Sequence, residues 1–218
     1  MSMSGPLSDE ERSRLASLFK RYEGTHSFHN FTDGKLTHED KSARRYMMSL
    51  TVGEPLELSG VEYVSLRLHG QSFLMHQIRK MVGLLVAVFR GDVPEEAMKA
   101  ALVRPRVAGI PMAPSCALTL RRCLYAEYER RRPADRNSIH FPGCEDAKRA
   151  FLLARILPHV AECEANGEYI RFTRALQAWA ADWQGSCKSA KQAAAANAAA
   201  ASTLPAAVSG AESGTATA

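Results

Sequence analysis

Apolar residues recur at helical spacing through Leu74, Ile78, Met81, Val82, Leu85, Val88 and Phe89, which predicts an amphipathic helix beginning near Ser72. Ser72, His76, Arg79 and Gly83 fall on the narrow opposite stripe. The neighbours of Arg79 at helical spacing are Met75, Val82, Gly83 and Val86. A cation among apolar groups needs an anion, because an unpaired buried charge is costly. A glycine costs a helix about 1 kcal/mol relative to alanine, but it lets another backbone or a ligand come close. The plainer reading is a core helix whose arginine reaches water along its alkyl stem.

The same reading divides the rest of the chain. Ser8 followed by Asp9, Glu10 and Glu11 predicts a capped helix that carries Leu15, Leu18, Phe19 and Tyr22 and ends at Gly24. Asp33 to Lys41 is polar and reads as a loop. Arg45 to Val52 alternates, with Met48, Leu50 and Val52 opposite Met47, Ser49 and Thr51. Val61 to His69 alternates too, with Val64, Leu66 and Leu68 on one side. The link GEPLELSG predicts a hairpin with a turn longer than two residues. A helix is expected from Pro94 to Val103, then a loop punctuated by Pro105, Gly109, Pro111 and Pro114. Ala117 to Tyr128 reads as a further strand, and Arg130 to Pro142 as an exposed connector. Glu145 to Glu164 is expected to be helical, with Phe151, Leu152, Ile156 and Val160 inward and Pro158 interrupting it. Ile170 to Trp183 should form another helix, with Phe172, Leu176 and Trp179 on one face. From residue 185 the chain is alanine-rich without apolar bulk and is expected to be disordered. The order predicts an α+β fold: an antiparallel sheet with helices packed on one face, additional C-terminal helices and a disordered tail. The expected division is a domain over 8–130, a helical extension over 131–184 and a tail over 185–218.

Three stretches carry a resemblance: YEGTHSFHNFT (Tyr22 to Thr32), SARRYMMSL (Ser42 to Leu50) and GQSFLMHQIRKMVG (Gly70 to Gly83). In order and spacing they resemble the C-terminal half of the catalytic domain of the TruA-like tRNA pseudouridine synthases, in their eukaryotic branch, from about Leu15 to Trp179. The resemblance implies an isomerase that breaks the glycosidic bond of a uridine, rotates the uracil and rejoins it through carbon, without cofactor or metal. The target base must leave its stack to be reached. In the family the arginine matching Arg79 pairs with the catalytic aspartate, keeping it ionised and aimed. Phe73 and His76 match positions near the cleft and the RNA. Family members carry Gly-Leu where this chain has Ser115 and Cys116, so Cys116 alters the uracil pocket. Arg45 and Lys80 are candidate phosphate contacts. His26 and His29 fall in a loop that the resemblance places by the cleft. The family's aspartate lies in a G-R-T-D-x-G-V-H-A motif that occurs nowhere in this sequence. The expected reading is therefore a synthase half that is inactive alone and acts with a missing N-terminal half; the alternative is a non-catalytic RNA-binding module of the same fold.

Composition adds less. A formal net charge of +5 with basic residues in small groups (Arg44-Arg45, Arg79-Lys80, Arg104 and Arg106, Arg121-Arg122, Arg130 to Arg132) favours a polyanionic partner, tRNA or another structured RNA. The five cysteines include no C-x-x-C pair, and reduced thiols are the simplest account. His26 and His29 have H-x-x-H spacing, with His76 a possible third metal ligand, but no paired cysteines or nearby carboxylate completes a set. No metal is expected. No apolar run is long enough to span a bilayer, so no membrane partner is expected. An intracellular location, nucleus or mitochondrion, is what the resemblance implies.

Overall fold

The computed structural model describes residues 5–58, 60–105, 107, 109–139 and 143–184. The alanine-rich tail lies outside the described residues. The chain divides into two units, Met1–Ala180 and Ala181–Ala218. Of the second, only residues 181–184 are described, and they are helical.

Helix α1, Asp9–Lys20, opens on a capping box: the Ser8 side chain accepts the Glu11 N–H while the Glu11 carboxylate accepts the Ser8 N–H. Caps of this kind are worth about 1 kcal/mol. Strands β1 (Gly24–Ser27), β2 (Arg44–Leu58) and β3 (Val61–Gly70) form an antiparallel sheet in the order β1-β2-β3. Helix α2, Gln77–Phe89, packs against α1 and against α3, Glu96–Val103. The fold is α+β, as the pattern predicts.

Two details of β2 depart from expectation. The register slips between Met47 and Ser49, so Met47 and Leu50 are both buried and Met48 is exposed. A strand that gains one residue inverts its alternation from that point on. The hairpin is also tighter than expected. Leu58 pairs with Val61, leaving a two-residue turn, and Gly60 there adopts φ 77°. Pro55 does not end the strand. It sits at a second register shift, where β2 has β3 on one side only, so its missing N–H breaks no ladder bond with β1.

The Tyr22–Thr32 stretch is the wedge behind α2. Tyr22, Phe28 and Phe31 are fully buried, with the Tyr22 and Phe31 rings edge-on at 5.7 Å. The Tyr22 hydroxyl donates to the Met81 carbonyl at 3.1 Å, which ties the wedge to the helix. Burial pushes the Tyr22 phenol far above its usual range.

Ala117 to Tyr125 is not a strand; it runs without regular structure and presents Leu118, Leu120, Leu124 and Tyr125 outward. Helix α4, Ala126–Arg131, takes over the end of the stretch read as strand. Its residues have a strand's composition but no partner edge among the described residues, and an unpaired strand leaves its backbone groups to water. Beyond the connector come α5 (Glu145–Phe151), a π-helical segment (Leu152–Ile156) and α6 (Leu157–Ala165). The wider turn lies just ahead of Pro158, where the ring excludes an ordinary helical bond. It also rotates the inward face: Leu157, Val160 and Cys163 are buried, whereas Phe151 and Leu152, expected inward, are exposed. Helix α7 covers 168–180, with Leu176 and Trp179 buried as expected.

Candidate active site

Helix α2 begins five residues later than its periodicity suggests. His76 holds a left-handed backbone, φ 65°, which an α-helix interior does not admit. The Gln77 side-chain oxygen accepts the Leu74 N–H at 2.8 Å and closes the entering turn. Ser72 and His76 therefore do not share a helical stripe with Arg79, and Met75 is 69% exposed rather than packed beside it.

From Gln77 onward the helix is buried more widely than read: Leu84 and Ala87, off the expected face, are buried, while Ile78, Val82 and Phe89 on it are half-buried. Met81, Leu85 and Val88 are buried, and so is Gly83. Gly83 receives another backbone: a Cβ at that position would collide with the Pro111 carbonyl oxygen. The close approach lets residue 113 dock on Arg79. The Ala113 N–H donates to the Arg79 carbonyl at 3.0 Å, and the Arg79 Nε–H donates to the Ala113 carbonyl at 2.7 Å. The guanidinium is thus held from one edge, through its Nε. It is half-buried and lines a cavity of about 320 Å³ with Met112, Pro114, Ser115, Glu168, Arg171 and Phe172. Among the described residues no acidic side chain makes an ion pair with it.

The other candidate residues are dispersed. Phe73 is 37% exposed in the turn ahead of α2, and His76 is the left-handed residue at its start. Cys116 follows the Ser115 that lines the cavity, and its Sγ lies 3.6 Å from the Tyr169 hydroxyl. The Lys80 ammonium donates to the Thr32 carbonyl, and partial burial holds its pKa below the usual lysine range, against the opposing pull of Asp33. The Arg45 guanidinium donates to the carbonyls of Ser42 and Arg44 at 2.6 and 2.7 Å. A His26 ring nitrogen lies 2.7 Å from the Glu23 carbonyl. His29 is 2% exposed, between Ser27 Oγ at 3.0 Å and the Arg104 carbonyl at 2.8 Å. Neither His26 nor His29 meets His76 in a cluster with metal-ligand geometry among the described residues.

Glu168 and Arg171, one turn apart at the start of α7, enter the cavity wall without having been singled out in the sequence. Their i, i+3 spacing reads as an ordinary solvated helix pair, and only the folding back of α7 brings them to Arg79.

A family model described as tRNA pseudouridine synthase matches residues 18–126, which takes in β1 to β3, α2, α3, Arg79 and Cys116. The chain belongs to this family. Over 148 residues it is 38% identical to tRNA pseudouridine synthase 1 of Yarrowia lipolytica, covering 66% of this chain and 28% of the relative. It is 40% identical over 136 residues to the mouse pseudouridylate synthase 1 homolog, covering 62% of this chain and 31% of that protein. Against the human homolog the identity is 42% over 125 residues, 57% of this chain and 29% of the relative. The chain thus spans less than a third of the length of these curated relatives.

Proposed function

We propose that this chain forms one side of the active site of a synthase that isomerises uridine to pseudouridine in tRNA, with Arg79 as the group that holds the catalytic carboxylate. The observation that carries the reading is the state of Arg79. Its Nε is committed to Ala113, it lines a cavity, and no acidic side chain pairs with it among the described residues. A guanidinium pre-aimed by its own helix and by the 111–113 segment is suited to grip a carboxylate at two points. That carboxylate would come from the portion of the relatives that this chain does not span, since the sequence contains no G-R-T-D motif.

The exposed apolar run Leu118, Leu120, Leu124 and Tyr125 supports the same division. Its strand-like composition suits pairing with an edge supplied by that other portion. Phe73 and His76 stand ahead of α2, where a flipped base or its neighbours would pass, and Cys116 borders the pocket for the uracil. Lys80 and Arg45, with the loop of His26 and His29, form the proposed surroundings of the RNA backbone. No cofactor enters this reading.

The test is a protein that carries this segment behind the N-terminal portion of a relative. There Arg79→Lys keeps the charge but loses the planar fork. Single-turnover pseudouridine formation should fall on the order of 10²-fold, with tRNA affinity nearly unchanged. Turnover close to the parent would remove Arg79 from the chemistry. Equal loss of turnover and affinity would favour the alternative, an RNA-binding surface without a catalytic arginine.

A further inference from the structure

Beside the Arg79 cavity lies a cluster that the uridine chemistry does not use. Cys116 Sγ, Cys163 Sγ and a carboxylate oxygen of Glu168 all fall within 4.8 Å of one another. They come from three segments: the loop after Pro114, helix α6 and the start of α7. Cys116 is half-buried and Cys163 is buried. Cys116 Sγ lies 3.6 Å from the Tyr169 hydroxyl, and Cys163 Sγ lies 3.7 Å from a His159 ring nitrogen. Two thiols far apart in sequence, facing each other at this range, need little movement to reach bonding distance.

We propose that Cys116 and Cys163 are a reversible dithiol–disulfide pair that clasps the 111–116 loop, and with it the backbone partner of Arg79, to the C-terminal helices. The oxidant is a small-molecule disulfide such as glutathione disulfide. Cys116, the more accessible thiol, attacks as thiolate; its sulfur bonds to one glutathione sulfur and the other glutathione leaves. Cys163 then loses its proton to solvent, attacks the Cys116 sulfur and displaces the second glutathione, which leaves as thiolate and takes up a proton. Two protein thiols and one glutathione disulfide become one protein disulfide and two glutathione thiols. Burial, and after it the neighbouring Cys116 and Glu168, push the Cys163 thiol up to about 11, so Cys163 is the resolving thiol and its attack is the slower step. The pair bridges the loop beside Arg79 and α6, so its oxidation state sets how firmly one wall of the cavity is held.

The test begins with the chain stripped by a chelator and equilibrated across a series of glutathione redox buffers. After alkylation and proteolysis, a peptide linking Cys116 to Cys163 is expected, lighter by two hydrogens than its reduced parts. The oxidised chain should melt about 5–10 °C above the reduced one, because a cross-link restricts the unfolded chain. Cys116→Ser, a near-isosteric change at a half-buried site, should abolish both the linked peptide and the increment. Cys123→Ser, at an exposed thiol, should leave both intact. Glu168→Gln removes a negative charge that holds the proton on Cys163 and should speed the second step a few-fold; a slowed second step would count against the proposal. Lasting glutathione on Cys116, pairing of Cys116 with Cys123 or Cys144, or, in a parallel sample not stripped, thiols protected by a divalent cation until chelator is added would each overturn the proposal.

Discussion

Gly83 decides how closely the 111–113 segment can lie on α2, and therefore whether Arg79 is held by Ala113 at all. Alanine is the better helix former by about 1 kcal/mol, but its methyl would collide with the Pro111 carbonyl. The clash wins, because a backbone carbonyl cannot swing aside as the tip of a side chain can. Gly83→Ala is expected to lower stability by about 1–3 kcal/mol, measured as a lower urea midpoint with unchanged slope; a raised midpoint would contradict the close approach. The pairing of an odd arginine with a glycine one turn on was legible in the sequence, because both sit on one helix and helical spacing is a local property. What fills the space beside Gly83 was not. Pro111 is 28 positions away, and nothing in its own surroundings points back. The same distance hid Glu168 and Arg171, and hid the meeting of Cys116 with Cys163. The stripe through Ser72 and His76 failed for a different reason. One left-handed residue, followed by a glutamine that caps its own turn, stopped the helix where composition would have let it run on.

At the scale of elements, the long periodic segments were legible and their interruptions were not. Helices α1 and α3 and strand β3 lie within a few residues of their expected positions. The slip at Met48 and the π segment before Pro158 each insert or widen by one residue, a change that periodicity alone does not encode. Ala117 to Tyr125 shows the converse: a strand pattern needs a partner edge before it becomes a strand. The C-terminal helices are tied back to the sheet by one polar link that carries its own prediction. The Tyr63 hydroxyl donates to Glu164 at 2.6 Å, joining β3 to α6. Burial, and then the carboxylate itself, push the Tyr63 phenol up to about 12. A folded pKa raised above the unfolded value of 10.0 means that this link contributes fully below about pH 10 and is lost as pH climbs through about 12. Alkaline melting curves should therefore drop over that window, and Tyr63→Phe should flatten the drop while lowering stability near neutrality by about 0.5–1.5 kcal/mol. An unchanged alkaline limb in Tyr63→Phe would show that the bond contributes nothing.

For the whole molecule, the excess of positive charge is less available than the sequence suggests. Arg130 and Arg131 both bond Glu127, and Arg132 pairs with Glu129 at 3.3 Å, so these arginines must release a carboxylate before taking a phosphate. Binding of tRNA by the chain should still weaken as salt rises, since each phosphate contact releases counterions. An affinity that does not change between low and moderate salt would argue against an electrostatic surface. Binding is separate from conversion, which on the proposed role of Arg79 needs a carboxylate beside it that no described residue of this chain supplies as an ion pair. The G-R-T-D motif is absent from all 218 residues, and the chain spans only 28% of its Yarrowia lipolytica relative. Glu168 shares the cavity, but it lies against Cys116 and Cys163 and makes no ion pair with Arg79. Hence the purified chain should release no tritium from tRNA labelled at carbon 5 of uracil, even with substrate bound. Joined behind the N-terminal portion of a relative, the same segment should restore release, and Arg79→Lys should remove it again. Restoration that survives Arg79→Lys would remove Arg79 from the chemistry. Release at ordinary enzyme turnover by the chain alone would mean that one of its own acids does the work, with Glu168 the first to replace.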